Sequence, residues 1–225
     1  MTDIFTEIDD ELRKEQARRL WQRYGKFIIG GAVLIVVGVA AWRGYVYWQD
    51  TKAQAQGDAY FAADRLATVE DANASRAAFE EFVRTAEGGY PMLARFRVAA
   101  LDAKAGEYDK AIAGYDAVAT DPSVSTQFQD LARLRAAFIA VDHLDRQAVE
   151  SRILGLATPG ATWRHSAREL LALAAYKADD LETARKRLTE LTSDAAVPQA
   201  AKQRGELFLS VITSRLGAKT DKPTQ

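Results

Sequence analysis

Cysteine does not occur in this 225-residue chain, so disulfides, thiolate nucleophiles and cysteine-ligated metals are excluded and stability must come from packing. Histidine is scarce as well, with His143 and His165 the only imidazoles. His165 and Glu169 stand one helical turn apart and could touch a metal, but no third ligand accompanies them, and a plain surface pair is the reading. Gly88-Gly89 and Pro159-Gly160 lack the flanking strand and the Lys-Ser/Thr that give a phosphate loop its meaning. The neighbouring acids Glu80-Glu81 and Asp179-Asp180 point to different helix sides and read as solvated faces rather than an acid/base pair. Basic surplus is missing too: the part after Trp48 carries 23 Lys plus Arg against 25 Asp plus Glu, which argues against nucleic acid as a partner. No catalytic constellation, cofactor motif or small-molecule substrate site is visible, and the chain reads as a non-enzyme.

What the chain does have is one long apolar run. Residues 27–42 (FIIGGAVLIVVGVAAW) are sixteen positions without a charge. As a helix they rise about 24 Å, a little short of a bilayer core near 30 Å. Lys26 and Arg43 can snorkel, and Gly44, Tyr45, Val46, Tyr47 and Trp48 extend the usable helix to roughly 33 Å. A single transmembrane helix is expected over residues 27–48.

The flanks orient it. Arg13, Lys14, Arg18, Arg19, Arg23 and Lys26 precede the run, whereas only Arg43 and Lys52 follow within the same distance. Basic flanks stay in the cytoplasm, so the N-terminus is expected there and everything after Trp48 outside. Trp21 and Tyr24 on one side, and Trp42, Tyr45, Tyr47 and Trp48 on the other, fit the aromatic belts that contact membrane lipid at the interfaces. Gly31 and Gly38 fall seven apart on one face and would let a partner helix approach closely. Val39-Ala40-Ala41 also satisfies a signal-peptide cleavage pattern; the 26-residue lead and the aromatic cluster past the run favour a helix that is retained. In residues 1–26 acids lead and bases trail, and Ile4, Phe5, Ile8 and Leu12 recur at helical steps. That arm is expected to be a short amphipathic helix on the membrane or against a neighbour, or else a solvated arm.

From Gln49 to Gly217 the chain is rich in alanine, leucine, arginine and glutamate, without strand-like alternation. Breakers fall at helix length: Gly88-Gly89, Gly106, Pro122, Pro159-Gly160 and Pro198. A small residue followed four positions later by a large one recurs at Ala78/Phe82, Ala111/Tyr115 and Ala184/Leu188, with a degenerate copy at Ala148/Arg152. The steps between copies are 33, 37 and 36 residues, a helical-repeat period. In the clearest copy Ala99, Gly106, Tyr108, Ala111 and Tyr115 keep the tetratricopeptide spacing. There the small residues allow close helix crossings and the aromatic fills the gap to the next pair. A third copy, Ala172, Leu181, Ala184 and Leu188, keeps the volumes, with Asp179-Asp180 at the turn in place of glycine. The expected fold is all-α: the transmembrane helix, a tetratricopeptide-like array of paired antiparallel helices over residues 49–217, and a disordered tail over 218–225. The expected array has about nine helices, and Leu207, Phe208, Val211 and Ile212 on the last should cap the stack.

The segments YGKFIIGGAVLIVVGVAAWRGYVYW, LDAKAGEYDKAIAGYDAVA and GATWRHSARELLALAAYKADDLETARKRL, with the early Ala78/Phe82 pair, give the chain a resemblance to the YfgM-type ancillary subunits of the bacterial Sec translocon. The resemblance implies an inner-membrane protein with a periplasmic tetratricopeptide-like domain. Its implied partners are the SecYEG translocon and a membrane-anchored periplasmic prolyl isomerase or other chaperone. No catalytic motif comes with that family. The sequence departs from the family pattern in its longer acidic-then-basic arm and in the copy at Ala148/Arg152. A cell-envelope scaffold that organises division or outer-membrane assembly would use the same architecture without the translocon.

Overall fold

The computed structural model describes residues 3–68 and 72–220, with side chains within 18–66 and 73–217. Among these residues the chain is all-α, with nine α-helices and one 3-10 turn. It divides into two compact units, Met1–Gly57 and Asp58–Gln225, and helix α1 (Asp3–Thr68) carries the chain from the first into the second. The side chains of Ile4, Phe5, Ile8 and Leu12 and the tail residues from Asp221 onward lie outside the described residues.

The first unit is the helical rod of α1. Its apolar run has no partner among the described residues: Phe27, Leu34, Ile35 and Val36 are each at least 67% exposed. A core helix of a water-soluble fold would bury such residues, because each exposed Leu or Ile forgoes about 2 kcal/mol. Among the described residues this is the one helix long and apolar enough to cross a membrane, with a mean hydropathy of 2.0 over its best window. That is compatible with a single-pass anchor.

The second unit is a stack of antiparallel helices: α2 (Ala72–Thr85), α3 (Tyr90–Lys104), α4 (Tyr108–Ala119), α5 (Thr126–His143), α6 (Arg146–Ile153), α7 (Arg164–Lys177), α8 (Leu181–Thr192) and α9 (Gln199–Thr220). Helix α9 thus runs three residues past the predicted boundary at Gly217. Each helix from α2 onward packs on the next, and α5 also touches α7, as α7 touches α9. That second set of contacts makes α5, α7 and α9 an inner row.

Alanine sets how closely the helices approach. Ala99, Ala111, Ala136, Ala137, Ala172 and Ala184 are all at most 1% exposed. At the α3/α4 crossing a methyl added to Gly114 would stand 3.1 Å from the Ala99 Cβ. At the α8/α9 crossing one added to Gly205 would stand 2.9 Å from Thr192. Larger side chains fill between the pairs: Tyr115 on α4, Leu188 on α8, and Phe79 on α2, which is fully buried one position past Ala78.

Two of the tight turns have the same hydrogen bonding with different residues. After α3, Gly106 takes φ +82° and the Glu107 amide donates to Asp102 O at 2.9 Å. After α7, Asp179 takes φ +59° and the Asp180 amide donates to Ala175 O at 3.0 Å. Both are the left-handed helix stop in which glycine is favoured. The predicted substitution of Asp179 for glycine at this turn therefore places a side chain in a strained backbone.

Ion pairs link the stack at its own period. Arg97 pairs with Asp64 at 2.6 Å, Arg152 with Asp116 at 2.6 Å, Arg146 with Asp180 at 2.7 Å and Arg204 with Glu169 at 2.7 Å. Lys177 pairs with Asp142, and Arg215 reaches Asp179 at 3.5 Å. All six join residues 33 to 36 apart, one repeat. Arg152 therefore bridges to α4, while α6 buries Val149 and Ile153, one position on from the predicted Ala148/Arg152 pair. Exposed pairs of this kind contribute about 0–1 kcal/mol each, so they set register more than they add stability.

Three aspartates lock loops. Asp121 accepts from the Ser123 amide at 2.9 Å, the Ser123 hydroxyl at 2.6 Å and Arg95 at 2.5 Å, and its pKa is lowered to about 2, first by the Ser123 hydroxyl bond. Asp180 caps α8 through the Thr183 amide at 3.1 Å and also takes Arg146; its pKa is lowered to about 2, first by the Thr183 hydrogen bonds and then by Arg146. Asp194 gathers Arg164 at 2.7 Å, Arg168 at 3.1 Å and the Ala196 amide at 3.0 Å, and is pushed further down, chiefly by Arg164.

Asp179→Gly is expected to raise stability by about 0.5–1 kcal/mol, because relief of the left-handed strain outweighs the exposed contacts of its carboxylate, that to Arg215 at 3.5 Å among them. A thermal melt of the full chain in detergent, followed by helical circular dichroism, reads the gain. By the same melt Ala111→Trp should cost about 1–3 kcal/mol or more by overpacking the α4 crossing, and Lys110→Ala should be neutral. The lowered aspartates give a pH dependence of definite sign. Their unfolded pKa is near 3.9, so their contribution is complete above about pH 4 and is lost as pH falls toward 2. The midpoint should drop across that window, and Asp194→Asn should lower the neutral-pH midpoint while making the drop shallower.

Candidate functional site

The inner row presents a stripe of large side chains. On α5, Phe128, Leu131, Arg135 and Phe138 recur at three- and four-residue steps and so share one face. Phe128 is 39% exposed and Phe138 51%, although both lie on a helix whose opposite face is fully buried alanine. On α3 the facing residues are Leu93, Phe96, Arg97 and Ala100. Helices α5 and α7 close onto each other, whereas no comparable packing joins α3 to α5. The space left is a cleft of about 380 Å³ lined by Tyr60, Leu93, Phe96, Arg97, Tyr115, Phe128, Leu131 and Arg135.

Aromatics build its floor. Tyr115 meets Phe96 edge-on at 5.7 Å. Tyr60 meets Phe79 at 5.0 Å and Phe82 at 6.1 Å, both edge-on. Burial pushes the Tyr115 phenol up, against the opposing pull of the Arg135 and Arg97 guanidiniums. Burial raises Tyr60 too, with Asp64 adding to it and Arg97 opposing. Both hydroxyls therefore remain protonated donors at neutral pH. Arg97 is held by Asp64 at 2.6 Å. Other surfaces carry less. The space between α5, α6 and α7 is about 230 Å³ and is bordered by Lys177, whose ammonium donates to Val141 O at 2.9 Å. The outward face of α8 is a run of charged and threonine side chains.

The residues singled out in the sequence are distributed as follows. Ala99 and Tyr115 lie in the largest core cluster, and Ala172, Ala184 and Leu188 lie in the cluster beneath α9. Phe82 belongs to the cluster of α1, α2 and α3, with Ala78 half-buried against it. Ala111 is fully buried, and Gly106 occupies the turn before α4. Tyr108 stands at the surface, 39% exposed, its ring stacked on His143 at 3.6 Å. Gly31 and Gly38 face open space. Trp21, Tyr24, Trp42, Tyr45, Tyr47 and Trp48 are all exposed; Trp21 lies over Gly25, and Lys52 sits 4.3 Å above the Trp48 ring. On the last helix Ile212 is fully buried and Phe208 partly so, whereas Leu207 and Val211 are exposed. His165 and Glu169 part company: Glu169 takes Arg204, and His165 Nε2 lies 3.0 Å from Asp194. Among the described residues no cluster of three or more histidines and carboxylates is placed to hold a metal.

Sequence reasoning did not find the cleft or the inter-repeat ion pairs. Opposite charges one period apart were the available signal for the pairs, since Asp116 and Arg152, or Glu169 and Arg204, are spaced by one repeat. The cleft had a fainter signal, the Phe128-Leu131-Arg135-Phe138 stripe set against the buried alanines Ala132, Ala136, Ala137 and Ala140 of the same helix.

The family model of a tetratricopeptide repeat-like domain matches residues 18–148, more than half of the chain. No curated protein and no solved structure matches it. The matched stretch contains the apolar part of α1 and most of the cleft's frame, and α7 to α9 continue the same packing beyond it. Such repeat domains are typically non-enzymatic scaffolds that bind other proteins, a role that suits a surface with an open cleft. With the repeat period, the inner row of helices and the family match in agreement, the chain belongs to the tetratricopeptide repeat-like domain family.

Proposed function

We propose that this is a non-enzymatic bacterial inner-membrane protein, an ancillary subunit of the Sec translocon that links translocating proteins to periplasmic chaperones. Residues 1–26 form the cytoplasmic arm, 27–48 the anchor, and the periplasmic repeat domain runs from 49 to the end of α9 at Thr220. The observation that carries this reading is the exposed apolar run of α1, with six basic residues close before it and two close after, leading into a repeat domain whose family serves protein binding. The resemblance of both segments to the YfgM-type subunits supports SecYEG and a membrane-anchored prolyl isomerase or other chaperone as partners. Gly31 and Gly38, with open space above them, supply a face where a second transmembrane helix can approach closely.

Affinity purification of the full chain from mildly solubilised membranes should enrich SecY. Gly31→Leu combined with Gly38→Leu should reduce SecY recovery several-fold, while the repeat domain keeps its melt and its chaperone. Absence of SecY from the wild-type eluate would sink the translocon reading and leave an envelope scaffold.

A further inference from the structure

The α1–α3–α5 cleft is polar in an uneven way. The arginines that bridge repeats are paired: Arg97, Arg146, Arg152 and Arg204 each hold a carboxylate. Arg133, one half-turn from Arg135, holds Asp130 at 2.6 Å. Arg135 is different. It is exposed, it lines the cleft, and no carboxylate among the described residues lies within 4.0 Å of it. Acids are plentiful in this chain, so a lone guanidinium at the mouth of an aromatic cleft is not a matter of composition.

The surroundings match it. The lining contains two arginines and no acid, and Asp64 neutralises only Arg97. The Tyr115 hydroxyl on the floor makes no hydrogen bond among the described residues, so it is free to donate. Leu93 and Phe128, each 39% exposed, form apolar walls on the two sides. A group that satisfies all of this carries one negative charge, accepts from a guanidinium and a phenol, and has apolar substituents beside it. Arginine binds a carboxylate through parallel donors, which adds geometric selectivity to the charge. Apolar walls with few convergent polar groups are the usual make-up of a recognition pocket.

We propose that this cleft is the docking site for a peptide segment of a partner protein in which an aspartate or glutamate is flanked by apolar side chains. Arg135 is the ionic anchor, Tyr115 the second donor, and Leu93, Phe128 and Leu131 the apolar seats. The inference rests on the protein-binding reading of the repeat domain and adds to it the place and the chemistry of the contact. It does not depend on the translocon, because the Sec association is assigned to the membrane span.

The test is an array of immobilised randomised dodecapeptides probed with the detergent-solubilised full chain. Bound peptides should be enriched in Asp or Glu next to Leu, Ile or Phe. Arg135→Glu should weaken the selected peptides at least about tenfold, the loss of one charge-assisted contact, and should abolish the acid preference. Arg135→Lys should retain the preference with weaker binding. Phe128→Ser should weaken acidic and neutral peptides alike. Because Arg135 is exposed, its variants should melt as wild type does, which separates lost binding from lost folding. Selected peptides without acid preference, no selection at all, or unchanged affinity in Arg135→Glu would each overturn the proposal. SecY recovery from the same preparations judges the translocon reading separately.

Discussion

Close approach of helix backbones at alanine and glycine crossings is the contact on which the rest of this structure depends. A methyl at Gly114 would stand within 3.1 Å of Ala99, so the α3/α4 pair is near the limit of how closely two helices can lie. Alanine contributes little apolar area of its own. Its value is geometric, since it brings the backbones near enough that a single large residue per helix seals the gap to the next pair. Tyr115, Leu188, Phe79 and Ile212 do this, each at most 5% exposed. Without the small residues the large ones would have nothing to close against.

The same arrangement accounts for the cleft. Helix α5 turns its alanines, Ala132, Ala136, Ala137 and Ala140, toward its neighbours together with Leu134 and Val141, and leaves Phe128, Leu131, Arg135 and Phe138 on the other face. Where α7 follows, the inner row closes. Between α3 and α5 it does not, and Phe128, Leu131 and Arg135 line the opening. The ion pairs at one repeat spacing then hold the register of the stack around that gap, at an energy small enough that a modest change of conditions can loosen them.

Fold class and repeat period were legible because they depend on volumes at fixed spacing: small at 99, 111 and 184, large at 115 and 188. The apolar run was legible because a charge-free stretch of that length admits few alternatives. The copy at Ala148/Arg152 was harder. Asp145 caps α6 through the Ala148 amide at 2.8 Å and starts the helix so that Val149 and Ile153 face inward, which frees Arg152 for Asp116. A cap decided the register there, and a search for volumes does not see caps. Tyr108 has a similar cause: as the first residue of α4, directly after the Gly106 turn, it has no preceding helical turn to pack on and stacks on His143 instead. The cleft was harder to read for a further reason: the stripe on α5 marks one wall, but the openness itself is a missing contact between α3 and α5, which neither helix encodes alone.

A cleft of about 380 Å³ in which one guanidinium, that of Arg135, holds no carboxylate among the described residues cannot by itself hold a partner tightly. One charge-assisted contact and two or three apolar seats leave little surplus after the cost of ordering a peptide. On the proposed topology that weakness suits the anchor. Confinement to the same membrane raises the effective concentration of an anchored partner, so a weak groove is filled when the partner is tethered nearby and released when it is not. The acid-and-apolar chemistry then supplies selectivity while the membrane supplies occupancy. A tighter groove would retain its segment and block the exchange that a linking protein requires.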